Sequence, residues 1–283
     1  MMNSEPKDNL PPVHPALTGR QRLFEGRAAL PGERARVWWE IAIVLGLSLG
    51  ASAVYSIVSL LSIVTAGKTL AGSSTSLNSS QSPREWLDFT YQFLSLFFAL
   101  VPVALALYLL WRPGRGAFRR VGLDLTQPGR DLGRGLLLLA VIGVPGIAFY
   151  AVGRMLGLTV AVNAAPLEGY WWTIPMLIFS AIRAGLQEEV IVVAYLFEKL
   201  RQLGWNTWSI ILSTSLLRGS YHLYQGVGPF VGNVVMGVVF GWCYQRWGRV
   251  MPLVVAHAII DIVSFVGYPL AAAWWPGIFT VGS

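Results

Sequence analysis

Seven stretches of this chain are long and apolar enough to cross a bilayer, and that fact constrains the fold more than any other. A spanning helix needs about 20 mostly apolar residues. The candidates run about Val37–Ala66, Trp86–Trp111, Gly135–Val160, Trp172–Phe197, Thr207–Gly226, Val227–Trp247 and Val250–Ala273. The last is followed by Trp274, Trp275 and an apolar tail, which leaves room for an eighth. Of the 283 residues, 54% are hydrophobic and 12% charged, against about 25% charged in soluble domains. An ordinary cytosolic enzyme and a disordered protein are excluded. A disulfide scaffold is excluded too, because Cys243 is the sole cysteine and is read as a packing residue.

The positions of the basic residues give an orientation. From the N-terminus, the polar stretches between spans hold 6, 2, 6, 0, 2, 0, 2 and 0 Lys or Arg. That alternation is the positive-inside pattern for seven spans with a cytoplasmic N-terminus. It accounts for the net charge of +7 without nucleic acid. The expected fold is an all-α, polytopic integral membrane helix bundle of seven or eight spans in the plasma membrane.

Its expected parts are a polar cytoplasmic segment 1–36, membrane helices over 37–171 with a basic cytoplasmic loop 112–134, a membrane core over 172–275, and a tail 276–283. The N-terminal segment has no apolar run, so no cleavable signal is expected. Loop 112–134 mixes arginines with Leu123, Leu125 and Leu132, and is expected to lie along the anionic lipid surface. The Ser-rich stretch from Ser73 to Ser82 reads as a flexible linker. Gly46 with Gly50, and Gly237 with Gly241, are small-residue pairs suited to close helix packing.

Ionisable groups at membrane depth cost about 2.5–3.5 kcal/mol each on insertion scales and mark function by default. Glu40 lies near a span end and reads as a snorkelling carboxylate. The informative set lies in three spans: Arg183, Glu188 and Glu189; Arg218 and His222; His257 and Asp261. Arg218 with His222, and His257 with Asp261, stand four residues apart and share helix faces. Glu188 and Glu189 are adjacent and diverge by about 100°. One can therefore point at a common centre while the other meets a cation, Arg218 or Arg183. His14 lies in the polar N-terminal segment and is assigned nothing. Gln187, Tyr221, Tyr224, Gln225 and Asn233 are nearby polar groups, with Asn233 expected to bond across helices.

A buried carboxylate with two imidazoles can activate water and support an oxyanion. The same residues can bind zinc, although no His-Glu-x-x-His run is present. They can also form a structural network or a proton relay for transport.

Glu188-Glu189, Arg218-Gly-Ser-Tyr-His222 and His257-Ala-Ile-Ile-Asp261 together resemble the CPBP family of intramembrane endopeptidases, relatives of the type II CAAX prenyl endopeptidase and also called the Abi family. The resemblance implies that Glu188 is the general base and that His222 holds and polarises the water. His257 and Asp261 would then stabilise the oxyanion. It implies no cofactor, with zinc as the alternative, and a peptide or membrane-protein substrate. Two positions depart from the family pattern. Val193 stands where an arginine is expected, and Arg218 where a phenylalanine is expected. The expectation is a swap in which Arg218 supplies the missing charge partner of Glu189.

A non-catalytic scaffold or immunity protein of the same fold, and a proton-coupled transporter, are the rival functions. Oligomeric state is not encoded legibly. Eighteen of the 21 basic residues are arginine, as expected of a GC-rich bacterial genome.

Overall fold

The computed structural model describes residues 30–112, 114, 116–163, 170–267 and 269–270. His14 and most of segment 1–36, the loop around Glu168, Trp274, Trp275 and the tail 276–283 lie outside the described residues.

The first expected span is two helices. α1 (Pro31–Gly46) and α2 (Leu49–Thr65) meet at a bend of 57°. Gly46, Ser48 and Gly50 surround the break, and the Ser48 hydroxyl donates to the Val44 carbonyl at 2.6 Å. A Gly/Ser cluster with side-chain competition for a helix carbonyl is an ordinary cause of a kink. Gly46 and Gly50 therefore mark a bend, and only the other small-residue pair is a helix–helix contact.

α3 (Glu85–Ala99) runs on into α4 (Val101–Leu110), and the Asp88 carboxylate caps the approach to α3 by accepting from the Gln81 and Ser82 N–H groups at 2.6 and 3.3 Å. After the short α5 (Ala117–Val121) come α6 (Pro128–Leu138), a π turn (Leu139–Gly143) and α7 (Val144–Met155). Pro145 has no N–H to donate four residues back, so the hydrogen-bond register widens there.

The central run is α8 (Thr173–Glu188), a π turn (Glu189–Tyr195) and α9 (Leu196–Gln202). Every residue of that π turn is buried. α10 (Thr207–Ser220) is N-capped by Asn206, whose side chain accepts from the Ser209 N–H at 2.9 Å. A 3₁₀ turn (Leu223–Gln225) leads to α11 (Val227–Trp247), and α12 (Met251–Ile262) ends in a π turn (Val263–Gly267).

Three of these helical runs are long and apolar enough to cross a membrane: Glu85–Leu110, Pro128–Met155 and Val227–Trp247, with the bent α1–α2 pair as a fourth if it is one span. The charged central run and the 14-residue α10 do not meet that standard. The chain is thus a helical membrane protein with fewer self-evident spans than the sequence suggested.

Two further expectations are corrected. The Ser-rich stretch forms β1 (Ser74–Ser76), paired in parallel with β2 (Ala161–Asn163). Glu40 is not a free interfacial carboxylate. It accepts from Lys199 Nζ at 2.5 Å and from Arg36 Nε at 2.9 Å, tying α1 to α9.

Two glycines set the helix approaches that build the site. A Cβ on Gly237 would lie 2.9 Å from Ser215 Cα, so α11 meets α10 backbone to backbone. A Cβ on Gly185 would lie 3.1 Å from the Val254 carbonyl, so α8 meets α12 just before Glu188. Cys243 is buried and free, as a packing residue should be. Large apolar side chains such as Phe93, Phe97, Val144 and Ile147 are exposed on the peripheral helices, the surface a lipid contact requires.

Part of the basic loop turns inward. Arg120 pairs with Glu198, and Arg249 forms a clasp with Asp131 (Nη2–Oδ2 2.6 Å) and Asp124 (Nη2–Oδ1 3.0 Å). Burial alone would raise the Asp124 carboxyl. The hydroxyl and N–H of Thr126 and the Arg249 guanidinium outweigh it and hold the group below its ordinary range. A depressed carboxylate stabilises the fold fully above its unfolded pKa, near 3.9, and loses that contribution as pH falls through the folded value. Thermal melts of purified protein between pH 6 and pH 3 are expected to show an acid-side loss of stability that Asp124→Asn makes shallower. An unchanged acid limb in that variant would remove Asp124 from the account.

Candidate active site

Glu188 closes α8 and Glu189 opens the π turn that follows. Single π turns inside α-helices are frequent at functional sites because they re-aim successive side chains. The two carboxylates go different ways.

Glu188 Oε2 is a meeting point for three elements. The Tyr221 hydroxyl donates to it at 2.7 Å. Arg218 Nη1 stands at 3.8 Å, His222 Nε2 at 3.9 Å and His257 Nε2 at 4.0 Å. Glu189 is wholly buried and works as a tie: its Oε1 accepts from Arg218 Nη2 at 2.6 Å and lies 2.7 Å from His257 Nδ1. Since a carboxylate only accepts, that contact places the hydrogen on His257 Nδ1. His257 Nε2 then faces Glu188 and, at 3.5 Å, Asp261 Oδ2.

Six of the seven ionisable residues singled out from the sequence, Glu188, Glu189, Arg218, His222, His257 and Asp261, thus lie in one cluster. Val193 is an apolar, buried member of the π turn. The cation facing Glu189 comes instead from Arg218, which is itself fully buried with its guanidinium 5.5 Å from the Phe240 ring centre.

The spacing argument for His222 needs a correction. α10 ends at Ser220, so Arg218 and His222 do not share a helix face. His222 sits at the entry to the 3₁₀ turn, and the Tyr221 carbonyl before it is pinned by the Ser56 hydroxyl at 2.8 Å. The early helix end is what lets Arg218, Tyr221 and His222 all reach Glu188. Neither ring nitrogen of His222 has a hydrogen-bond partner among the described residues. Tyr221 was legible only as a nearby polar group, and its adjacency to His222 was the available signal. Among the described residues Asn233 makes no hydrogen bond across helices. Its Nδ2 donates to the Pro229 carbonyl of its own helix at 3.0 Å. Arg183 has no carboxylate partner among the described residues either and donates from Nη1 to Gln187 Oε1 at 2.9 Å.

Among the described residues, no group of three or more His, Cys, Asp or Glu is arranged to hold a metal ion.

Residues 170–263, a third of the chain, match the family model described as type II CAAX prenyl endopeptidase Rce1-like. The match bears out the resemblance to the CPBP family and spans the whole cluster from Arg183 to Asp261. Comparison with curated proteins and with solved structures gave no match.

Proposed function

We propose that the Rce1-like segment is the catalytic core of an intramembrane endopeptidase, in which Glu188 activates water to hydrolyse a peptide bond. The observation that carries this reading is the convergence on Glu188 Oε2, with two imidazole nitrogens 3.9 and 4.0 Å away. Gaps of that size are too long for direct hydrogen bonds and suit a bridging water. One water about 2.8 Å from both Oε2 and an Nε2 spans such a gap at an angle near 90°.

In this mechanism Glu188 takes a proton from the water as its oxygen attacks the scissile carbonyl carbon. The carbonyl electron pair moves onto oxygen, where His257, oriented by Glu189 and Asp261, and His222 offer stabilisation. Collapse reforms the carbonyl and breaks the C–N bond, and Glu188 returns its proton to the leaving amine. Tyr221 fixes the Glu188 rotamer. Glu189 and Arg218 hold α8, α10 and α12 in register around the reaction space.

We place this core in a bundle of seven or eight spans in the plasma membrane, N-terminus inside, acting on a peptide or membrane-protein substrate. The alternation of basic residues supports that topology. A non-catalytic scaffold of the same fold is the second reading, favoured by the replacement of the family arginine with Val193.

The deciding experiment compares peptide N- and C-termini across the membrane proteome in cells carrying the wild-type chain or Glu188→Gln at matched abundance. Termini that vanish in the variant are expected, and they would name substrates. An unchanged set of termini, with the protein folded, supports the scaffold. Metal analysis of the purified protein tests the remaining chemistry. Two imidazoles and a carboxylate are zinc-type ligands, but the Arg218 guanidinium lies 3.8 Å from the oxygen a cation would share. Substoichiometric zinc is expected. Stoichiometric zinc, lost together with activity in His222→Ala, would replace the glutamate-only mechanism.

A further inference from the structure

Between α3 and α8, beside the 67–84 loop, lies a cavity of about 300 Å³ whose polar lining includes Asn78, Gln81, Gln92, Ser95, Ser180 and Arg183. Its size is at the lower end of ligand-binding pockets. Such a concentration of amides and hydroxyls is unexpected between two helices that should face lipid or each other. Several of these groups hold the wall in place. The Ser180 hydroxyl donates to Asn78 Oδ1 at 2.8 Å, and Gln92 Nε2 donates to Asp88 Oδ2 at 3.0 Å.

Arg183 differs from the rest. A guanidinium carries five N–H donors. Here one nitrogen bonds the neutral Gln187, while Nε is buried with no hydrogen-bond partner among the described residues. Among those residues no carboxylate lies within 4.0 Å of it, whereas Arg218, Arg120 and Arg249 each have at least one. A permanent cation at membrane depth without its counter-charge is costly. The same arginine stands on α8 five residues before Glu188, so the cavity and the cluster share a helix.

We propose that this cavity is a substrate subsite in which Arg183 binds a carboxylate of the peptide. The inference rests on the endopeptidase reading and deepens it. Arg–carboxylate recognition is bidentate and directional, so it would set the register of the chain against Glu188. Arg183 and Glu188 are five residues apart on one helix, an axial rise of about 7.5 Å with a rotation of about 140° around the axis. An extended peptide at ~3.4 Å per residue needs at least two residues to cover the rise alone. The bound carboxylate therefore belongs to a group two or more residues from the scissile bond, either an acidic side chain or a chain terminus. By the charge count the 67–84 loop is external, so the cavity mouth faces that side.

The test is a binding measurement on the full chain in nanodiscs carrying Glu188→Gln, so that nothing is turned over. Three pools of N-capped randomised octapeptides are used. One contains aspartate and ends in an amide, one has a free C-terminus and no acidic residue, and one carries no carboxylate. At least one carboxylate pool is expected to be retained at least tenfold better than the neutral pool, and which one wins assigns the source. Arg183→Gln is expected to erase the difference and Arg183→Lys to keep part of it. Ser95→Trp, which fills the cavity from α3 and leaves Arg183 untouched, is expected to lose retention as well. Equal retention of all pools, retention of none, or a preference that survives Arg183→Gln in a folded protein would overturn the subsite. Because this readout needs no catalysis, its failure is separable from a failure to find Glu188-dependent termini.

Discussion

Glu188→Gln is expected to lower kcat for peptide-bond cleavage by about 10²–10⁴-fold, the range general-base removal commonly costs, with little change in KM. Glutamine keeps the shape of the side chain and can still accept from the Tyr221 hydroxyl, now 2.7 Å from Oε2, so the fold should survive. It cannot take a proton from water. Tyr221→Phe is the informative companion. It keeps the carboxylate and removes one hydrogen bond to a charged group, an interaction of about 1.5–3 kcal/mol, so its loss of rate should be smaller. Both are read as kcat and KM on purified protein, using a substrate drawn from the termini comparison. A Glu188→Gln enzyme within a few-fold of wild type would show that this carboxylate is not the base. The convergence of Tyr221, His222 and His257 on it would then be architecture.

Much of the site was legible because the bilayer makes buried charge conspicuous. Arg183, Glu188, Glu189, Arg218, His222, His257 and Asp261 could be picked out by being ionisable within apolar runs. What spacing could not supply was the local geometry. The i, i+4 rule assumes a continuous helix, and α10 stops at Ser220, so the convergence of Arg218 and His222 on Glu188 arises from a turn. The 100° divergence of Glu188 and Glu189 correctly separates two roles, yet which cation meets which carboxylate depends on the π turn at Glu189–Tyr195, and hydrophobicity carries no signal for that.

Span counting met a similar limit. Mean hydropathy marks lipid-facing helices such as Glu85–Leu110 well. The central run carries Arg183, Glu188 and Glu189 where a hydropathy window expects few charges, and α10 and the α12 run are too short to count. Glu40 shows the same blindness from the other side: it sits near a span end and reads as a snorkelling carboxylate, while long-range packing brings it to Lys199 at 2.5 Å.

The buried Arg218–Glu189 pair makes the second large prediction. Arg218 and Glu189 are both fully buried, with Nη2 2.6 Å from Oε1, and Glu189 Oε2 has no hydrogen-bond partner among the described residues. Removing one member of such a pair strands the other charge, at a cost of about 3–5 kcal/mol, whereas removing both can be nearly neutral. Arg218→Met alone is therefore expected to lower unfolding stability by about that amount and to reduce the yield of folded protein. Adding Glu189→Gln should recover much of the loss, since the stranded carboxylate becomes a neutral amide that can still meet His257. Chemical denaturation of the two single variants and the double variant in one detergent closes the cycle. A double variant whose loss equals the sum of the singles would mean that the two residues do not act as a pair. Arg218 would then owe its place to Phe240 packing, and the arginine missing at position 193 would have no substitute. A strong coupling, by contrast, would make the unusual sequence at 193 and 218 one compensated change. The adjacent Glu188 would then keep its neighbours fixed by a tie that lies one residue further along the chain.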